Sequence, residues 1–237
     1  PGVCTSCSLR AGRWVIRAWA RGDRQGRVAP VAEGALPKRS GIASSDRGVS
    51  EAAHQAAIGA VSERLGALLE VQRNFGLRFE EAAKLDATRA LKQAEKEGVV
   101  AIKDGTKGGR QRMVPITSNA QITALQRAAA IQDGRSMIPG NQTYREFRQE
   151  AYREIGRQPV NFHGERHHYA QERYRVLMGA DSPIRAGVAH GRAHHEYLSK
   201  ELGISVAQAK TLDQEIRAEI ARELGHGRID VTNSYLG

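Results

Sequence analysis

The sequence predicts an α+β domain, mainly α, with one small antiparallel β-sheet. Three observations predict it. From Ser50 onward, apolar residues recur at helical spacing along most of the chain. Two short apolar runs flank a glycine-rich, basic turn. Capping boxes and glycines then mark where helices start and stop.

Each element has its own reason. Ile58, Val61, Leu65, Leu68 and Leu69 share one helical face, so a helix is expected over about 51–74, with Gly76 allowing a break. A second helix is expected over Phe79–Ala94. Val99–Ile102 and Arg112–Ile116 read as strands, and Lys107-Gly108-Gly109-Arg110 between them reads as a hairpin tip. Ser118 and Gln121 form a capping box before a helix to about Gln132. Further helices are expected over about 142–155, stopping at Gly156, and 162–178, stopping at Gly179. Residues 180–204 are mixed, with a short helix expected at 192–202. Ser205 and Gln208 open a last helix, whose stripe of Val206, Ala209, Leu212, Ile216, Ile220 and Leu224 ends at Gly225. No internal repeat is present.

Composition narrows the function. The chain has 237 residues, 40% of them hydrophobic and 26% charged, and a net charge of +10. The longest run without a charged residue, Met113–Gln126, is too short and too polar for a membrane span, which needs about 20 apolar residues. No signal peptide is visible, and two cysteines cannot build a disulfide framework, so a reducing compartment is expected. Pro1 in place of Met points to a fragment or processed product. The positive charge favours a polyanion as partner. It is uneven: residues 1–50 hold nine Lys and Arg against three Asp and Glu, and the rest holds 27 against 23. A disordered basic arm over 1–50 and a folded domain over 51–237 are therefore expected. Any role on DNA in that domain must come from placed residues. Cys4 and Cys7 are half of a zinc pattern with no second half, so no metal is expected.

Four motifs stand out in order. Gly76-Leu77-Arg78-Phe79-Glu80-Glu81 lies at a helix start. Thr106-Lys107-Gly108-Gly109-Arg110 is the hairpin tip. His163-Gly164-Glu165-Arg166-His167-His168 opens a helix. Leu224-Gly225-His226 closes one, and Tyr235 follows nine residues after that histidine, in Thr232-x-x-Tyr235. Taken singly, each has an ordinary reading. Tyr235 could be a half-buried tyrosine, Arg78 a partner of Glu81, and Lys107 a residue of a solvated turn. His163 and His167 are spaced for zinc but lack a third ligand, as do His190, His194 and His195. Arg173, Arg175, Arg185 and Arg192 read as a solvated face.

Together the four motifs resemble the tyrosine recombinases, the phage-integrase family, over about 70–237. The wording of FGLRFEEA, TKGGRQRMVPI, RHHYAQERY and ELGHGRIDVTNSYLG is similar to a subgroup of proteobacterial integrases on mobile elements. The resemblance implies site-specific recombination of double-stranded DNA without a cofactor, by a homo-tetramer on DNA, in the bacterial cytoplasm and away from any membrane. It implies Arg78, Lys107, His163, Arg166, His226 and Tyr235 as catalytic residues. Arg110, Arg112, His167 and Arg228, beside them, are the candidate DNA contacts.

The chemistry suits these residue types. A phosphodiester attacked in line gathers charge on its equatorial oxygens. Guanidiniums such as Arg78 and Arg166 hold such oxygens bidentately and stay charged, in place of the metal clamp of other nucleases. Tyr235 would be the nucleophile and His163 its base, with His226 donating to the phosphate. Lys107 would protonate the leaving 5′-oxygen.

Three features depart from the family. Glu165 stands where the family has Leu, either pointing to solvent or weakening the phosphate pocket. Arg166 and His226 are 60 residues apart, far more than in the family, so an insertion is expected at about 178–210. Both flanks are short. The runner-up reading is a truncated, inactive DNA-binding remnant of a mobile-element integrase. A type IB topoisomerase shares the chemistry, but the spacing from His226 to Tyr235 favours the integrase branch.

Overall fold

The computed structural model describes residues 41–237. The expectations that fall on residues 1–40, including Cys4, Cys7, Trp14 and Trp19, lie outside the described residues. Residues 41–50, read from composition as the end of the arm, run along the domain instead. Ala43 N–H donates to Asn233 O at 2.9 Å, Asp46 accepts from Gln171 Nε2 at 2.9 Å, and Val49 is buried.

Ser50 caps α1 (Glu51–Ala60), which stops at Val61 on extended backbone. Ser62 then gives its N–H and its hydroxyl to Glu154, and α2 (Glu63–Phe75) starts afresh. The single helix expected over 51–74 is therefore two. Valine followed by serine, which prefers caps to helix interiors, lets the chain turn there. α2 forms the centre of the core through Leu65, Ala67, Leu68, Leu69, Val71 and Phe75. It ends on Gly76, whose φ of +61° and whose closeness to the Tyr169 ring (a Cβ would stand 2.5 Å from it) both require glycine.

Two helices, α3 (Phe79–Ala83) and α4 (Ala87–Glu97), replace the one expected over Phe79–Ala94. Asp86 makes the break, because its Oδ1 accepts the N–H of Arg89 at 3.0 Å and caps α4. β1 (Val99–Ile102) and β2 (Arg112–Pro115) pair antiparallel, Val99 opposite Pro115 and Ile102 opposite Arg112. Val100, Ile102 and Val114 face the core. A single 3-10 turn at Lys107–Gly109 sits in the connecting loop.

The later helices start at polar caps. α5 (Asn119–Ile131) begins at the Ser118/Gln121 box, and α6 (Tyr144–Ile155) at a Thr143/Glu146 box. α7 (Phe162–Met178) begins at Asn161, whose Oδ1 accepts from Gly164 N–H at 2.8 Å. Two helices span 180–204, a short α8 (Pro183–Ala186) and the expected α9 (Arg192–Leu202). α10 (Val206–Glu223) follows the Ser205/Gln208 box. A 3-10 turn at Ile229–Thr232 then leads to α11 (Asn233–Leu236), which carries Tyr235.

α2 packs between α5 and α7, and α7 also meets α10 and α11. The sheet lies against α4 and α10. The fold is thus mainly helical with one two-stranded antiparallel sheet, as the periodicity predicts. Among the described residues no helix is long and apolar enough to cross a membrane.

Candidate active site

α7 is a central helix made largely of polar residues. Glu165, Arg166, His167 and Gln171 are all buried in it. Charged groups enter a core only when partners replace their water, and the partners of Arg166 define the site. Its guanidinium has no exposed surface. Nη1 donates to Gly76 O and Nη2 to Leu224 O. Nε donates to Tyr235 Oη at 3.2 Å, and Nη2 lies 3.2 Å from His226 Nε2. Burial pulls its pKa down, and the Tyr235 phenol partly offsets this. Both carbonyls come from helix ends, where backbone oxygens lack helical partners. The Gly76 turn and the Leu224-Gly225 turn therefore serve as fixed walls of one pocket.

Arg78 opens α3 in reach of the same pocket. Its backbone N–H and its Nη1 both donate to Glu81, each at 2.8 Å. Glu81 also receives Arg112 Nη1 at 2.9 Å and Nη2 at 2.7 Å, and stands 3.8 Å from Arg166. Burial alone would raise the pKa of Glu81. Its bonds to Arg112, with Arg78 and Arg166 nearby, bring it down to about 2. One buried carboxylate thus fixes three guanidiniums from α3, β2 and α7.

Tyr235 completes the pocket from α11. Its hydroxyl lies 3.3 Å from His226 Nε2. Its ring stands 4.8 Å from that of His167, 5.7 Å from His226 and 5.8 Å from His163, centroid to centroid. Burial, then Arg166 and Arg78, lower the pKa of His226 to about 3 and also lower that of His163. Both rings are therefore neutral at pH 7. In this state His226, not His163, is in hydrogen-bond reach of the phenol.

The structure brings Arg78, His163, Arg166, His226 and Tyr235 together. Lys107 is exposed on the hairpin loop and makes none of these contacts. Arg110 lies against Gly227, next to His226, and Arg228 is exposed and pairs with Asp230 at 3.0 Å. Two of the candidate DNA contacts are buried in this structure. Arg112 is buried, with Nε bonded to Glu223 O at 2.6 Å beside its pair with Glu81. His167 is buried behind the Tyr235 ring, and burial takes its pKa down to about 4. Both side chains are held inward.

Glu165 takes neither course expected for it. It is fully buried on the far side of α7, 2.8 Å from both Arg73 Nη1 and His54 Nδ1. Sequence reading missed Arg73 and His54; the one signal for them was the carboxylate itself, at a position the family fills with Leu. Arg173 pairs with Glu223, Arg175 and Arg185 share Glu172, and Arg192 pairs with Glu196, so each of the four has a carboxylate partner. His194 and His195 flank Asp213 at 3.8 and 3.6 Å, and Asp213 is itself paired with Arg217. Among the described residues no three His, Cys, Asp or Glu side chains form a group that could hold a metal ion.

No curated protein matches the chain. A family model described as "Integrase" matches residues 37–174, more than half of the sequence. That stretch contains Arg78, Lys107, His163 and Arg166, and the fold brings the remaining two motif residues, His226 and Tyr235, onto Arg166 from outside it. The chain belongs to the integrase family of tyrosine recombinases.

Proposed function

We propose that this protein cuts and rejoins double-stranded DNA at specific sites through a 3′-phosphotyrosine. The observation that carries the reading is the placing of Tyr235 Oη 3.2 Å from Arg166 Nε and 3.3 Å from His226 Nε2. A nucleophile, a permanent cation and a neutral base meet at one point, although Arg166 and Tyr235 are 69 residues apart.

In the proposed reaction a phosphodiester enters between Arg78 and Arg166. A phosphate oxygen takes the place of the phenol as the acceptor of Arg166 Nε, and Tyr235 turns to attack phosphorus in line. The Oη–P bond forms as the P–O5′ bond breaks. The phenol proton passes to neutral His163, and His226 donates to a phosphate oxygen. Lys107 gives a proton to the departing O5′. Arg78 and Arg166 stabilise the charge gathered in the transition state. The phosphotyrosine keeps the bond energy of the ester, so a second 5′-hydroxyl reverses the step. Arg110 and Arg228, exposed beside His226, are proposed to meet the flanking phosphates. DNA from a bacterial mobile element and assembly as a homo-tetramer on it are the proposed setting.

The test uses duplexes randomised around a nick, so that a cleaved short strand diffuses away and the intermediate is trapped. Wild-type protein is expected to give a covalent protein–DNA adduct on a denaturing gel, and Tyr235→Phe none. An adduct with Tyr235→Phe removes Tyr235 from the centre of the reading. Binding without an adduct from wild-type protein identifies a DNA-binding remnant instead.

A further inference from the structure

We propose that Gly105 and Arg112 are positioning residues for Lys107, because one end of its loop rests on the backbone of Glu80 and Glu81 and the other is held by the Glu81 carboxylate, which also fixes Arg78. The proposal rests on the recombinase reading of Lys107 given above.

Lys107 is exposed, on a loop with two left-handed glycines at its tip, Gly108 and Gly109. Such a loop by itself would leave its ammonium anywhere within a wide arc. The flanks of the loop are not free. On one side Gly105, at φ +70°, lies directly on the first turn of α3. A Cβ there would stand 2.6 Å from Glu80 O and 2.9 Å from Glu81 N. On the other side Arg112 holds the Glu81 carboxylate with both Nη groups and ties Glu223 O with Nε. Lys107 follows Gly105 by two residues, so its Cα stays within about 7 Å of a fixed point.

The same carboxylate binds Arg78 by backbone and side chain. The base of the lysine loop and the first phosphate-binding arginine therefore share one rigid reference. General-acid transfer needs a heavy-atom approach of about 3 Å. A misplacement of about 1 Å costs up to about 100-fold in rate. The lysine keeps the freedom to swing onto the leaving oxygen, while its starting point is set by two contacts that touch no DNA. This also accounts for an arginine in the lysine motif that faces inward.

Single-turnover cleavage by the full chain tests the proposal. The duplex is the one recovered from the randomised pool, made with either O5′ or a bridging sulfur at the scissile position. With oxygen, the P–O5′ bond breaks and the alkoxide takes a proton from Lys107. With sulfur, the P–S bond breaks and the thiolate leaves with its electron pair and no proton, since a thiol pKa is about 8.5. Lys107→Ala is expected to be slow on oxygen and rescued by sulfur. Arg112→Lys and Gly105→Ala are expected to lose about 100-fold on oxygen and to return close to the wild-type rate on sulfur. Arg78→Ala is expected to stay slow on both.

Gly105→Ala removes none of the groups that pair with Glu81, so the proposal is still tested if Arg112→Lys fails to fold. Equal slowing of both variants on both esters, or no slowing on oxygen, overturns the proposal while the recombinase reading stands. Cleavage of neither ester by wild-type protein overturns both.

Discussion

Arg166 carries a charge in the least exposed place of the site, and each of its donors is spoken for. Arg166→Ala would strand two helix-end carbonyls and empty the space beneath the phenol. It is expected to destabilise the fold by about 3 kcal/mol, measured by urea denaturation, and to abolish the covalent adduct. Tyr235→Phe removes one oxygen and no ground-state charge. It is expected to hold DNA with affinity near the wild-type value in a binding titration, while forming no adduct. Glu165 makes a useful contrast. Glu165→Gln breaks a buried pair with Arg73 and His54 on the far side of α7. A loss of about 3 kcal/mol in stability is expected, with the cleavage rate of the folded fraction unchanged. A lost cleavage rate would mean that the two faces of α7 are coupled.

At the scale of the element, α11 has to hold Tyr235, the proposed nucleophile, with four residues of helix. Neighbouring elements supply what its length cannot. Arg217 on α10 donates to Asn233 Oδ1 at 3.0 Å and to Gly237 O at 3.2 Å. His190, just before α9, meets Gly237 O at 2.9 Å, and Gln171 on α7 donates to Tyr235 O at 3.2 Å. His190 lies within 178–210, the stretch expected to be an insertion, which thus bears on the segment that carries Tyr235. Arg217→Ala is expected to cut single-turnover cleavage sharply and to change DNA affinity little, since Arg217 is buried away from solvent. A parallel loss of affinity would show that α11 itself grips DNA.

For the whole molecule, buried titrating groups set the response to acid. The pKa values of His226, His167 and His168 are lowered by burial, to about 3, 4 and 4. They are neutral in the fold, while the unfolded chain protonates them near 6.5. Unfolding therefore takes up protons below pH 6.5, and stability falls as pH drops from there toward 4. Glu81 and Glu172 are held down to about 2 by their arginines, after burial has acted the other way. Their contribution is whole above pH 4.5 and is lost between about 4.5 and 2. Urea midpoints measured from pH 7 to pH 3 are expected to fall in those two stages, and a midpoint flat down to pH 4.5 would contradict the histidine part. The charge of residues 1–40 is expected to matter to binding. Removing residues 1–40 takes away eight Lys and Arg and two Asp and Glu. It spares Asp46 and Val49, which pack on the domain. Nonspecific DNA affinity is expected to weaken, and its salt dependence to flatten.

What the sequence determined by itself is local. Apolar spacing placed the helices, the Ser118 and Ser205 boxes opened two of them, and Gly76, Gly156 and Gly179 closed others, because these signals act within a turn or two of chain. The order of the arginine, lysine and histidine motifs and Tyr235 was likewise readable as a pattern. The tertiary structure decided what each charge faces. Arg112 and Glu81 are 31 residues apart, Arg73 and Glu165 are 92, and His54 and Glu165 are 111. No periodicity spans such distances, so the partners of Arg112 were not legible, and Glu165 read either as pointing to solvent or as weakening the pocket. The helix breaks at Ser62 and Asp86 were missed because polar caps there compete with a helical pattern that runs straight past them. A charge enters a core only where a distant partner waits for it, and only the folded chain brings the two together.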